Sequence, residues 1–195
     1  EHLSFLNRDS SPYVFRHSDS QGQIISSADG EEGNRKIDDG LFYADWDWII
    51  FQQGSRDSGR AERYARLPLL VDYVKQRVTN PHVRYAFNMT WAYAKKSLNP
   101  GFENYGRDQK TMYQGILNAV KTRVLPNKDI ELIIPNGTAI QNARASYLGD
   151  HLTRDDFDHM TYGLGRYIAG LTFICALTGL NPTDISFAPE GLSER

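Results

Sequence analysis

The stretch Asp155-Asp156-Phe157-Asp158-His159 places three carboxylates within four residues of a histidine. Imidazole titrates near neutrality, and a neighbouring acid fixes the ring's orientation, so such a pair is suited to general-base work. Immediately downstream, Leu164, Ile168, Leu171 and Cys175 recur at steps of four, three and four, which is one face of a helix. The histidine and its acids therefore lie on the loop feeding a helix N-terminus, where side chains reach outward. Acidic residues there also complement the helix dipole with no chemistry involved, and acidic caps are common. Both readings are open on the local residues.

The elements that must position this loop are legible from periodicity. Trp48-Ile49-Ile50-Phe51 is an apolar run of buried-strand length. It stops at the polar turn 52–59. Helical spacing follows in Tyr64, Leu67, Val71, Val74 and Val78, and Pro68 inside it predicts a kink or a late start. His82-Val83-Arg84-Tyr85-Ala86-Phe87 predicts a second strand. A second helix is expected over about 107–124, with Met112, Ile116, Ala119 and Val120 inward, and Ile130-Glu131-Leu132-Ile133-Ile134 predicts a third strand. Before these, Tyr13-Val14-Phe15 and Ile24-Ile25 flank Gln21-Gly22, which suits a hairpin or a loop, and 29–34 predicts an exposed turn. Alternating strands and helices imply an α/β fold with a parallel sheet covered on both faces. Sites in such folds lie beyond the carboxyl ends of the strands. That selects three loops, 52–59, 88–93 and 135–144, to converge with the histidine.

Composition bounds the rest. The 195 residues, 40% hydrophobic, suffice for one core, so one domain over 1–195 is expected: an irregular segment 1–36, a core 37–179 and a tail 180–195. A net charge of −2 without a basic run argues against nucleic acid or an anionic membrane surface as partner. No apolar stretch approaches the length that inserts into a membrane. The single cysteine, Cys175, is expected to be a buried structural residue. His2, His17, His82 and His151 show no metal-like spacing, so neither metal nor cofactor is expected. The start, Glu1-His2-Leu3-Ser4, suggests a processed or truncated chain.

Five ordered pieces over about 37–179 resemble the SGNH (GDSL-type) hydrolases, in an uncharacterised-domain branch of that superfamily. They are Trp46-Asp47-Trp48-Ile49-Ile50-Phe51-Gln52-Gln53-Gly54-Ser55, Met89-Thr90-Trp91-Ala92-Tyr93-Ala94, Asp108-Gln109-Lys110-Thr111-Met112-Tyr113, Ile134-Pro135-Asn136-Gly137-Thr138-Ala139-Ile140-Gln141-Asn142-Ala143-Arg144, and Leu152-Thr153-Arg154-Asp155-Asp156-Phe157-Asp158-His159 through Gly165-Arg166-Tyr167. The resemblance implies a three-layer α/β/α, flavodoxin-like domain that hydrolyses esters through a Ser-His-Asp arrangement. Its D-x-x-H block maps onto Asp156 as orienting acid and His159 as base, with Asp155 and Asp158 as competing acids. It also implies a small-molecule or carbohydrate ester as substrate and an exported bacterial protein, periplasmic or extracellular.

Two family features are missing. No G-D-S or G-N-S nucleophile motif occurs, which points to an N-terminal segment of the same protein that completes the sheet, or to a relative that lost its nucleophile. The family's G-x-N-D block aligns with Gly54-Ser55-Arg56-Asp57, so arginine stands where an amide donor is expected. Gln53 or Gln52 offers an amide from the same turn, of the kind that contributes about 3–4 kcal/mol to an oxyanion; both equally suit a cap at the sheet edge. Ser55 is the fallback nucleophile, although its surroundings lack the nucleophile-elbow pattern. Trp91 and Tyr93 suit either a ligand-stacking surface or core filling. Asn136, Thr138, Gln141, Asn142 and Arg144 suit either a ligand or the backbone of their own loop, and Arg144 is a candidate carboxylate clamp. The two functional expectations are an esterase acting on a carbohydrate or small acyl ester, and a non-catalytic ligand- or carbohydrate-binding relative.

Overall fold

The structure, a computed structural model, describes residues 13–26 and 35–192. The turn expected over 29–34 lies outside them. The chain divides into two compact units, one running to Ile49 and including Arg66–Arg84, the other formed by Ile50–Ala65 and Tyr85 onward.

In the first unit, β1 (Arg16–Ser18) and β2 (Ile24–Ser26) form an antiparallel hairpin with His17 opposite Ile25. The Asp19 carboxylate accepts from the amides of Gln21 and Gln23, and Gly22 takes φ +78°, so the turn is built by an aspartate and a glycine. Helix α1 (Ile37–Phe42), which no periodicity announces, is capped by Asp39 accepting from the Lys36 amide. Helix α2 (Leu67–Lys75) begins late, with Pro68 in its first turn where a missing N–H costs nothing. Asp38 of α1 accepts from the Tyr73 hydroxyl and pairs with Arg77 at 3.3 Å, which ties the two helices together.

Strand β3 (Trp48–Phe51) is followed by β4 (Arg84–Asn88) and β5 (Leu132–Ile134), in a three-stranded parallel sheet of order β3-β4-β5. The β4–β5 register places Ala86 opposite Leu132 and Asn88 opposite Ile134. In the second unit, Tyr85, Ala86, Phe87 and Asn88 are all buried, as a strand covered on both faces requires. Asp108 caps α3 (Gln109–Ala119) by accepting from the Thr111 amide, and Met112, Ile116, Ala119 and Val120 are buried.

The segment 135–144, expected as a loop, is instead the helix α4 (Asn136–Ala145). Pro135 stands at its N-cap, and the Pro135 carbonyl accepts the helix's first bond, from the Ala139 amide at 3.0 Å. Its amide-rich sequence has no apolar stripe, and buried Ile140 and Arg144 hold it. Gly137 is what lets it start there: a Cβ at that position would stand 2.2 Å from the Thr90 carbonyl oxygen.

Helix α5 (Leu164–Thr178) ends at Gly179 in the left-handed conformation, φ +74°. Only Gly165 of this apolar helix is fully buried, and Ile174 is 48% exposed. Cys175 is half-buried, not buried, because it shares this incompletely covered helix. No helix among the described residues is long and apolar enough to cross a membrane.

Gly137→Ala is expected to lower unfolding stability by about 1–3 kcal/mol, the range for overpacking. Gly170→Ala on α5, whose Cβ would meet nothing within 4 Å, is expected to be neutral or to stabilise by about 1 kcal/mol or less. Urea midpoints of the two variants decide the comparison.

Candidate functional site

Every side chain of the candidate site belongs to the second unit. The loop after β3 separates the two candidate glutamines. Gln53 closes its own turn: its Nε2 donates to the Arg63 carbonyl at 3.0 Å and its Oε1 accepts from the Gly54 amide at 3.0 Å. Gln52 is exposed, and its Oε1 accepts from Asn88 Nδ2 at 2.5 Å. That leaves Gln52 Nε2 as the available amide donor. Ser55 Oγ is hydrogen-bonded to the Tyr93 hydroxyl at 3.0 Å. The Arg56 side chain lies flat across Gly101, where a Cβ would stand 2.1 Å from Arg56 Cγ.

In the loop after β4, Tyr93 is 1% exposed, meets Phe102 edge-on at 5.7 Å, and has its phenol pushed up chiefly by burial. It fills the core and is not open for stacking. Trp91 is half-buried against Ile140, Leu152 and Met160, and its Nε1 donates to the Asp158 carbonyl at 2.9 Å.

Asn136, 3% exposed at the start of α4, donates from Nδ2 to Asn88 Oδ1 at 2.8 Å. Gln141 is half-buried, with its Oε1 enclosed and without a hydrogen-bond partner among the described residues. Thr138 Oγ1 accepts from the Tyr113 hydroxyl at 3.1 Å, and Asn142 is exposed. Arg144 clamps a carboxylate of its own chain. Its Nε lies 2.8 Å from Asp150 Oδ1 and its Nη1 donates to the Ala92 carbonyl. Burial lowers its guanidinium pKa, against the raising effect of Asp150. Asp150 also accepts from Gln109 Nε2 and the Lys95 amide, so this ion pair fastens the β4 loop.

The histidine loop is a tight reversal. Thr153 and Met160 form an isolated bridge, the Arg154 amide donates to the His159 carbonyl, and Phe157 takes φ +58°. A left-handed non-glycine residue is a strained choice of the sort that concentrates at functional loops. Here it turns Asp156 back on His159. Asp156 Oδ1 accepts from the amides of Asp158 and His159, while Oδ2 lies 2.8 Å from His159 Nδ1 and 3.1 Å from Arg154 Nη2. Its carboxyl is held well below the usual range, first by the His159 and Asp158 backbone amides and then by the His159 side chain. An ionised carboxylate only accepts, so Nδ1 carries a proton, and in the neutral ring Nε2 is the nitrogen with the free lone pair. The imidazole is 67% exposed.

Asp158 points to the β4 loop, accepting from Ser97 Oγ and Asn99 Nδ2, and Asp155 is exposed. No hydroxyl, thiol or amine among the described residues bonds to His159 Nε2. No group of three metal-ligating side chains occurs among them either. Asn88 is the site residue that sequence reasoning missed; an asparagine ending a strand, beside a strand that ends in glutamine, is the signal that was there.

Because the folded pKa of Asp156 is depressed, its contribution to order in this loop is present above the ordinary carboxylate value of about 3.9 and fades only as pH falls further, through the depressed value. Amide exchange at Asp158 and His159 is therefore expected to stay slow from pH 7 to about 4. Asp156→Ala should make both amides exchange rapidly, and Asp155→Ala should leave them protected. A second measurement concerns the clamp: Arg144→Ala removes the buried partner of Asp150, which keeps its bonds from Gln109 and the Lys95 amide, and is expected to cost about 1–3 kcal/mol in chemical denaturation.

Two solved structures are similar to this chain. One is the crystal structure of a DUF4886 family protein from Bacteroides uniformis ATCC 8492, 36% identical, with a TM-score of 0.90 over 99% of this chain and 72% of that one. The other is a candidate SGNH hydrolase from Slackia heliotrinireducens, 16% identical, with a TM-score of 0.52 over 77% of this chain and 75% of that one; the likeness shows a shared fold. No curated protein matches. The model of the domain of unknown function DUF4886 matches residues 2–195, and the chain belongs to that family.

Proposed function

We propose that this chain carries the acid–base half of a serine-type ester hydrolase acting on a carbohydrate or other small acyl ester. The observation that carries the reading is the His159–Asp156 pair: Nδ1 is held by a saturated, ionised carboxylate and Nε2 is unbonded on an exposed ring. A nucleophilic hydroxyl adds to the ester carbonyl carbon as its proton passes to Nε2, and Asp156 balances the imidazolium. The carbonyl oxygen becomes an oxyanion, for which Gln52 Nε2 is the donor. Collapse expels the alcohol, which takes the proton from His159. Water then cleaves the acyl intermediate by the same route. Trp91 and Gln141 frame the substrate side, and buried Asn136 acts through Asn88.

In this reading the nucleophile comes from an N-terminal segment of the same protein that also extends the sheet. Two observations support it. Ser55, the serine in the β3 turn, is bonded to Tyr93 and not to His159. The apolar helix α5 is left half-covered, as a surface awaiting more chain would be. Export to the periplasm or the cell exterior belongs to the same reading.

The test is hydrolysis of para-nitrophenyl acetate by the whole protein, including any residues that precede this chain. His159→Ala is expected to lose at least about 10²–10⁴-fold in kcat. Gln52→Ala should lose about 10²–10³-fold, whereas Gln53→Ala should stay near wild type. Equal rates for wild type and His159→Ala would remove His159 as base and leave the non-catalytic, ligand-binding relative as the function.

A further inference from the structure

One carboxamide stands at the end of each strand of the parallel sheet, in sheet order: Gln52 directly after β3, Asn88 closing β4, and Asn136 two residues beyond β5. They form a hydrogen-bonded chain. Asn136 Nδ2 donates to Asn88 Oδ1 at 2.8 Å, and Asn88 Nδ2 donates to Gln52 Oε1 at 2.5 Å. Asn88 and Asn136 are buried, and Gln52 is exposed. We infer that Asn88 and Asn136 are positioning residues that act as a one-directional amide relay, holding Gln52 with its Nε2–H outward. The inference rests on Gln52 being the oxyanion donor proposed above.

Direction is the substance of the claim, because a carboxamide can be turned over at almost no steric cost. Reversing all three amides would make Gln52 donate inward and present its carbonyl oxygen to the substrate, where it would repel an oxyanion. Two features set the observed direction. The buried far end of the chain, Asn136 Oδ1, has no partner among the described residues. Reversal would put an NH₂ there, and an orphaned buried N–H is rarer than an under-satisfied carbonyl. Asn136 is also the first residue of the ten-residue helix α4, whose N-terminal end favours a negative partial charge beside it. The relay adds polarisation as well: an amide that accepts at oxygen is a stronger donor at nitrogen, by about 10–30% per bond.

The decisive substitution is Asn88→Asp. A carboxylate at that position has the same shape but only accepts, so it takes hydrogen bonds from both Asn136 and Gln52 and turns the outer amide over. In the whole protein, with para-nitrophenyl acetate, Asn88→Asp is expected to lower kcat about 100-fold, close to Gln52→Ala, with KM changed less than about threefold. Asn88→Ala frees Gln52 without reversing it and should lose about tenfold. Activity equal to wild type in Asn88→Asp overturns the relay.

A measurement on the unaltered protein covers the case in which the buried charge prevents folding. Side-chain amide exchange, with Gln52 assigned by its absence in Gln52→Glu, should show fast-exchanging Gln52 Nε2 protons and protected Asn88 and Asn136 Nδ2 protons. Protected Gln52 protons overturn the inference. The two claims fail separately: if Gln52→Ala keeps full kcat, the oxyanion reading falls, and if Gln52→Ala is impaired while Asn88→Asp is not, the relay alone falls.

Discussion

Parallel pairing of β4 with β5 does not stop at the last ladder residues. The Met89 amide donates to the Ile134 carbonyl at 3.0 Å, and the Gly137 amide returns to the Met89 carbonyl at 2.8 Å. These two bonds bring the beginning of α4 against the end of β4, closely enough that only glycine fits at 137. Asn88 and Asn136 meet because of that approach, and Gln52 is held through Asn88. A general feature of parallel sheets, the opening of the carboxyl ends into loops, thus becomes a specific one. A row of amides replaces the usual scatter of loop side chains.

The histidine loop depends on the same end of β4 by a different route. Trp91 Nε1 holds the Asp158 carbonyl, the Ala94 amide holds the Phe157 carbonyl, and Ser97 and Asn99 hold the Asp158 carboxylate. Three consecutive residues of the loop segment 156–158 are therefore spoken for, two by the β4 loop and Asp156 by its own turn. The Arg144–Asp150 pair and Gln109 fasten the β4 loop from the other side. What remains free in the reversal is the outer face of the His159 ring. Burying an arginine for this purpose is costly, and replacing such pairs by apolar groups is often neutral or stabilising. Its value here is geometric: it fixes the loop on which the histidine's neighbours are anchored.

Much of the fold was legible because apolar runs announce covered strands. Trp48-Ile49-Ile50-Phe51 and the Tyr85–Phe87 core lie where periodicity places them. Helix α4 was hidden because Asn136, Gly137, Thr138 and Asn142 are poor helix formers, and tertiary packing of Ile140 and Arg144 outweighs that propensity. Tyr93 and Trp91 looked alike as loop aromatics, yet burial separates them, and burial is a property of neighbours distant in sequence. The choice between Gln52 and Gln53 was invisible for the same reason. Adjacent residues on an extended segment point to opposite sides, and which side holds Asn88 follows from strand order. The D-x-x-H block of the resembled family pointed to Asp156 as the expected orienting acid, whereas the geometry that distinguishes Asp156 from its neighbours comes from the left-handed Phe157, which no composition signals.

The saturation of Asp156 also bears on what the carboxylate does for the ring. A carboxylate that accepts from two backbone amides, a guanidinium and an imidazole spreads its charge over four donors, so what it gives the ring is orientation. With the ring largely in water, attraction between Asp156 and an imidazolium is screened as well. Covering the ring would strengthen that attraction without moving an atom of the loop, because every other bond to Asp156 is already made. Orientation is thus built into the loop itself, while the dielectric in which it works is set by whatever lies over the exposed face of His159. The half-bare α5, which begins five residues after that histidine, is the neighbouring surface in sequence with apolar area still to bury.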